Sequence, residues 1–404
     1  MSAIVEVNDI ESLQDFRLLW QALLPETPGG SFFHTLDWLT VYWRHLGQRQ
    51  RLRVLVAYAG SRPIGILPLC VRTEEHRFGP LRVLGYPADG WANCCGPIGG
   101  NATATLLAAM RYLRSISPDW DMVDLRGVAT LGWDRWRTQR AMRSVGFPTA
   151  RAAWREFAVV DHSDASPSRQ VSTCQPDDMC RQDESCFMHR GRWQYVRYRP
   201  LGAAHDQSDP RWDLLEQCGV VAERSRRQRP EEAGAQKQID ITDSFFRETH
   251  EAAAKLGMLD VNLLYADGLP VAFSYNFHTG GRVVSLWAGA DCKSRSDAAR
   301  LLTARMFENS RQRGDTRTEL QCGLDVTEDW SVRHEQVDRI THYRPTILRA
   351  QAVRLERWWQ EHRARRPETA VLPTNSSRER PGALIAPERP RLRLVGAAQA
   401  GELA

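Results

Sequence analysis

Leu263-Leu264-Tyr265-Ala266-Asp267-Gly268-Leu269-Pro270-Val271-Ala272-Phe273 reads as a strand, a two-residue turn and a returning strand. Asp-Gly suits the positive φ angles of a tight hairpin, and the flanking residues are β-formers. The pattern extends both ways. Val261 to Tyr265 and Val271 to Phe277 form the hairpin, Gly280-Gly281 turns the chain again, and Val283 to Trp287 completes a three-strand meander. Asp243 to Leu256 precedes it as a helix with a capping residue at its start. Asp297 to Arg313 follows as an amphipathic helix, with Ala298, Leu301, Leu302, Met306 and Asn309 in register and Gly314 closing it. Thr318 to Cys322 is the next strand.

The first half runs in the same order. Asp9 to Leu24 and Ser31 to Leu46 are predicted helices, and Leu52 to Tyr58 with Pro63 to Val71 is a hairpin. Leu81 to Tyr86 is a third strand, Ala102 to Ile116 a helix and Met122 to Leu125 a further strand. Helix, hairpin, third strand, helix and strand thus occur twice, which implies an internal duplication. His162 to Pro176 is Ser/Pro/Asp-rich and reads as a linker; Arg224 to Glu232 is so charged that no regular element is expected. Thr346 to Arg363 is a last helix, and the Pro/Arg/Ser-rich chain after Arg366 is predicted to be disordered. The organisation expected is an α/β (α+β) fold of two similar halves at 1–160 and 241–345. A connecting segment 161–240 joins them, and a C-terminal helix 346–365 and a tail 366–404 follow.

Composition narrows the function. The 404 residues carry a net charge of only +5, supplied by arginine, so no nucleic-acid partner is expected. Only Lys237, Lys255 and Lys293 are lysines. Met1 to Glu11 lacks the pattern of a secretory signal, and no run approaches the 18 apolar residues of a membrane span. Nine scattered cysteines suggest reduced thiols in a cytoplasm. Cys174, Cys180 and Cys186 are spaced too widely for a structural zinc site, so no metal is expected. Cys94-Cys95 reads as small buried packing.

The quoted hairpin resembles the strand-turn-strand of the GNAT acyltransferases associated with bacterial cellulose biosynthesis. Trp287-Ala288-Gly289-Ala290-Asp291 is similar to that family's next strand, and Arg311-Gln312-Arg313-Gly314-Asp315 to its helix end. Tyr195 to Pro200, Trp330 to Pro345 and Phe33-His34-Thr35-Leu36-Asp37-Trp38-Leu39 add matches in the same order. Relatives with two GNAT-like halves include peptidoglycan aminoacyltransferases. The resemblance implies two GNAT-like halves, each a mixed, mostly antiparallel sheet flanked by helices. It also implies an acyl-CoA lying in a splay between two strands, its pyrophosphate on the backbone amides of a helix N-terminus. The matching segment is Arg295-Ser296-Asp297-Ala298-Ala299-Arg300, which gives Arg295, Ser296, Ala298, Ala299 and Arg300 as cofactor-binding candidates. The family's glycines are absent there, and Thr327 stands where relatives carry a lysine.

Acyl transfer needs a base for the acceptor's proton and a donor to the thioester oxygen. Asp291 or His278 is the candidate base and Asn276, with backbone amides, the polarising group; Asn276 and His278 share one strand face and Tyr275 takes the other. Asp89 holds the matching place in the first half and could line an acceptor cleft. The expected activity is transfer of an acetyl or other acyl group from CoA to the hydroxyl or amine of a sugar or polysaccharide precursor. The alternatives are a catalytically degraded binding or scaffold protein and a peptidoglycan-type aminoacyltransferase. Trp358-Trp359 with nearby arginines could meet a membrane surface or a biosynthetic complex, but aromatic stripes more often pack inward.

Overall fold

A computed structural model describes residues 2–87, 91–162, 193–228, 239–291, 295–320 and 332–364. Its strands are β1 (Ser2–Val7), β2 (Gln50–Ala59), β3 (Arg62–Glu74), β4 (Leu81–Gly85), β5 (Met122–Val128) and β6 (Ala150–Asp161) in the first half. Those of the second half are β7 (Trp193–Tyr198), β8 (Leu259–Ala266), β9 (Leu269–Thr279), β10 (Arg282–Ala290), β11 (Arg317–Leu320) and β12 (Val332–Tyr343). The helices are α1 (Arg17–Leu23), α2 (Leu36–Leu46), α3 (Ala102–Ser115), α4 (Arg137–Ser144), α5 (Trp212–Gln228), α6 (Ser244–Lys255), α7 (Arg295–Gln312) and α8 (Leu348–Ala364).

All twelve strands form one sheet, in the order β1-β2-β3-β4-β5-β12-β6-β11-β10-β9-β8-β7. Each half contributes an antiparallel run ending in one parallel pair, β4 with β5 and β10 with β11. The last strand of each half then crosses over. β6 lies against β11 of the second half, and β12 lies against β5 of the first, both antiparallel. β6 and β12 pair with each other at the centre. The sheet is therefore palindromic in its strand order, and neither half completes its own edge.

Local chemistry explains most elements. Asp267 and Gly268 have φ of 51° and 79°, and Gly280 and Gly281 have 54° and 77°. Both turns are thus the left-handed kind that joins tightly twisted strands. Asp243 caps α6, its carboxylate accepting from the Phe245 N–H at 3.1 Å. Thr35 caps α2 by accepting from the Trp38 N–H at 3.0 Å. That cap splits the helix expected over Ser31 to Leu46 into a short 3-10 turn, Phe32–His34, and α2. Asp9 to Leu24 likewise divides into a 3-10 turn, Ser12–Phe16, and α1.

Arg224 to Glu232 corrects one expectation. α5 continues through Gln228, where Glu223 pairs with Arg226 and, at 2.9 Å, with Arg227, one helical turn away. Trp358 and Trp359 correct another: they are 53% and 52% exposed, where inward packing was expected. No helix among the described residues is long and apolar enough to cross a membrane. The tail after Arg366 lies outside the described residues.

The sheet is buried on both faces. In the first half, Leu55, Leu67 and Leu69 pack under α3 and α4, while Leu52, Val54, Val56 and Ile66 pack against α1 and α2. In the second half, Leu264, Ala272 and Ala290 lie under α7. The opposite face, through Phe273, Tyr275 and Phe277, meets α5, α6 and the aromatic cluster of α2. Phe32 stands 4.4 Å and Phe33 5.6 Å, ring to ring, from Phe277. Trp38 stands 5.6 Å from Phe245. The halves are thus joined by an aromatic seam as well as by exchanged strands.

Candidate active site

β10 and β11 hydrogen-bond in register only from Arg282↔Arg317 to Ser285↔Leu320. The register of β10 with β9 then shifts between Ser285 and Trp287, the mark of a bulge. Beyond the bulge, β10 continues through Ala290, paired with β9 at Trp287↔Tyr275 to Ala290↔Ala272. The strand leads to Asp291, whose N–H donates to the Val271 carbonyl at 2.8 Å. A few residues on, α7 begins at Arg295.

The helix starts two residues earlier than expected, so Arg295 and Ser296 belong to its first turn. Ala298 is fully buried against Leu264, Val271 and Ala272, and Ala299 packs beside it. The small side chains thus fit the helix onto the sheet. Any anion at this end would meet backbone N–H groups. Arg300 follows, partly buried.

The other two candidates lie elsewhere. Asn276 and His278 share a face of β9, with Tyr275 on the opposite one, as the alternation requires. Asn276 is fully buried. Its Oδ1 accepts from the Ser274 hydroxyl at 2.8 Å, and its Nδ2 points at Asp260 and the Met306 sulfur, at 3.4 and 3.6 Å. Met306 is eight residues along α7 from Ala298, roughly 12 Å at the helical rise. The structure therefore groups Asp291 with the start of α7 and sets Asn276 and His278 apart from them. Asp89 and Thr327 lie outside the described residues, as do Cys174, Cys180 and Cys186. Among the described residues no cluster of His, Cys, Asp and Glu could hold a metal.

His278 borders a buried charge network. Arg197 grips Asp260 with two bonds, at 2.9 and 2.8 Å, and Arg199 bridges Asp260 and Asp315 at 3.1 and 2.7 Å. All four side chains are at most 7% exposed. The two guanidinium groups hold the Asp260 carboxyl well below the usual carboxylate range against the cost of its burial. Burial, with Arg199 nearby, lowers His278 to about 4, so it is neutral at pH 7 and weakly basic.

His34 and His250 are depressed to about 4 as well, chiefly by burial. His250 Nε2 donates to the Pro210 carbonyl and its Nδ1 accepts from the Tyr275 hydroxyl at 3.0 Å, which fixes a neutral tautomer. A histidine at 6.5 when unfolded and about 4 when folded binds its proton more readily in the unfolded chain. Stability is then full above about pH 6.5 and falls as pH drops toward 4. Urea unfolding at pH 7 and pH 5 is expected to differ by on the order of 1–2 kcal/mol for each of the three histidines. His250→Phe should flatten the slope, and an equal ΔG at both pH values would contradict the assignment.

Sequence reading missed a second charged cluster at the seam between the halves. Glu319 on β11, 1% exposed, forms ion pairs with Arg282 and, at 3.1 Å, with Arg317. Arg282 also donates to the Gly30 carbonyl at 3.0 Å, and Asn93 Nδ2 donates to Glu319 at 3.2 Å. Both guanidinium groups lie over the Trp133 ring, 5.3 and 5.4 Å from its centre. Next to this cluster, where β4 ends, a small cavity of about 30 Å³ opens among Trp20, Phe33, Trp38 and Tyr86.

Residues 202–330, spanning α5 to β11, match the family model described as an acetyltransferase (GNAT) domain. No curated protein matches the chain. Among solved structures, FemX is 10% identical, with 87% of this chain and 99% of that one covered and a TM-score of 0.53. L-PGS from Bacillus licheniformis is 13% identical over 84% and 96% of the two chains, with a TM-score of 0.45. A tandem GNAT protein from the clavulanic acid biosynthesis pathway is 12% identical over 86% and 100%, with a TM-score of 0.43. The FemX likeness shows a shared fold. The match of residues 202–330 to a GNAT acetyltransferase domain supports an acyltransferase.

Proposed function

We propose that the protein transfers an acyl group from acyl-CoA, acetyl-CoA being the simplest donor, to a hydroxyl or amine of a sugar or cell-envelope precursor. One observation carries the donor site: the bulge between Ser285 and Trp287 bends β10, whose edge beyond it runs to Asp291, a few residues before the N-terminus of α7. A pantetheine arm can pair with such an edge by backbone hydrogen bonds. The pyrophosphate then meets the helix amides and dipole, with Arg300 a turn further on as a countercharge.

Asp291, at the end of that edge, is the residue best placed to take the acceptor's proton. Asn276 is too deeply buried and too fully engaged to touch a thioester, so polarisation of the carbonyl falls to the backbone amides of β10. The resemblance to cellulose-associated enzymes supports the sugar acceptor.

Titration with acetyl-CoA tests the donor site. Ligand at a hundred times its Kd should stabilise the fold by about 2.7 kcal/mol, visible as a raised Tm. Arg300→Glu should weaken binding at least tenfold. An unchanged Tm at millimolar acetyl-CoA would remove the reading.

A further inference from the structure

α8 turns its larger apolar side chains outward. Residues three and four apart share a helix face, so Leu348, Ala352, Leu355 and Trp359 form one stripe. Ala350 and Val353 lie on the opposite side, at most 1% exposed, against Leu81, Val83, Met122 and Tyr343. Leu348 and Leu355 are 85% and 66% exposed. An alanine and a valine thus dock the helix, while two leucines face solvent. A helix held by its core alone would show the reverse. Trp358 and Trp359 follow on the same helix, 53% and 52% exposed. Single exposed apolar residues are ordinary on a protein surface, but a stripe of them in helical register marks a face that meets something.

Charge is concentrated at the same place. From Arg344 to Arg366 the sequence holds seven arginines and two glutamates. That excess equals the +5 of the whole chain, so the remainder is neutral overall. Arg349 and Arg354, both exposed, flank the leucine stripe, about 110° to either side of it around the helix. Arginine stems of this kind lie along apolar surface and keep their guanidinium groups at its edge.

We propose that α8 lies on the surface of an anionic lipid bilayer, its leucine stripe sunk below the headgroups and its arginines level with the phosphates. Tryptophan belongs at that boundary, because it joins an apolar ring to one N–H donor. A second copy of the chain fits less well, since stripe against stripe would press two strongly basic helices together. The proposal is independent of the acyl-CoA reading and survives its failure.

Sedimentation of the full chain with vesicles tests it. Vesicles of equal parts phosphatidylglycerol and phosphatidylcholine should carry the protein down, and pure phosphatidylcholine should bind it about tenfold more weakly or worse. Binding to the mixed vesicles should fall as salt is raised. Leu355→Asp should weaken it about tenfold or more, through lost apolar burial. The site is exposed, so the urea midpoint of that variant should not move. Leu18→Asp makes the same change at a leucine of α1 that is 81% exposed, and should leave vesicle binding intact. No binding to mixed vesicles, equal binding to both kinds, undiminished binding of Leu355→Asp, or equal losses from Leu18→Asp and Leu355→Asp would each overturn the proposal. So would a lipid-free dimer in sedimentation equilibrium that Leu355→Asp abolishes, since a second copy would then cover the stripe.

Discussion

Asp260→Ala is expected to lower unfolding free energy by about 3–5 kcal/mol, the usual cost of removing one partner from a buried ion pair. Asp260 is fully buried and receives bonds from Arg197, Arg199 and Asn262. Without it, two guanidinium groups at most 7% exposed would share only Asp315. Because the network ties β7 and β8 to α7, the loss should also loosen that helix on the sheet. An exposed pair supplies the contrast. Arg211 and Asp213 form a good ion pair at 2.8 Å, but their side chains are 41% and 53% exposed. Asp213→Ala should cost no more than about 1 kcal/mol. Urea unfolding of both variants checks the comparison, and similar losses would mean that burial is not what makes the Asp260 network matter.

Division of the chain should have the second large effect. A fragment of residues 1–175 retains β6 but loses β11 and β12, which flank it on both sides. It also leaves β5 without its β12 neighbour. Such a fragment exposes two long strand edges and should be insoluble or aggregate. Residues 176–404 alone should fail likewise, since β11 and β12 would lack β6. Co-expressed, the two pieces should purify together as one folded complex. A soluble, cooperatively unfolding 1–175 fragment would contradict this.

Elements whose signal is local were legible in the sequence. The Asp267-Gly268 and Gly280-Gly281 turns, the Asp243 cap and the Ala298-Leu301-Leu302-Met306 stripe announce themselves within a few residues. β6 and β12 do not. Ala-Arg-Ala-Ala-Trp-Arg-Glu-Phe has the composition of a helix as much as of a strand, and β12 is crowded with charge. Both become strands because partners far away in sequence offer them paired edges, which outweighs weak local preference. The tail of α5 was misjudged because its charges read as repulsion, although Glu223 compensates them along the helix.

The candidate site divides the same way. Asp291 and the start of α7 follow from the meander and helix, whereas the burial of Asn276 depends on Asp260, Ser274 and Met306 converging from three elements. The Glu319, Arg282 and Arg317 cluster left no trace in spacing, since its partners Gly30 and Asn93 come from the other half.

The central strand exchange also bears on how the chain is made. β6 is complete at Asp161, but its second neighbour finishes only at Tyr343, roughly 180 residues later. At about 5–20 residues per second, a ribosome would hold that strand unpaired for on the order of 10–40 s. Its outer stretch carries Arg151, Arg155 and Glu156, charges that discourage association with neighbouring nascent chains during the wait. The polar character that hid β6 from a reading of the sequence thus serves the nascent chain before the second half arrives.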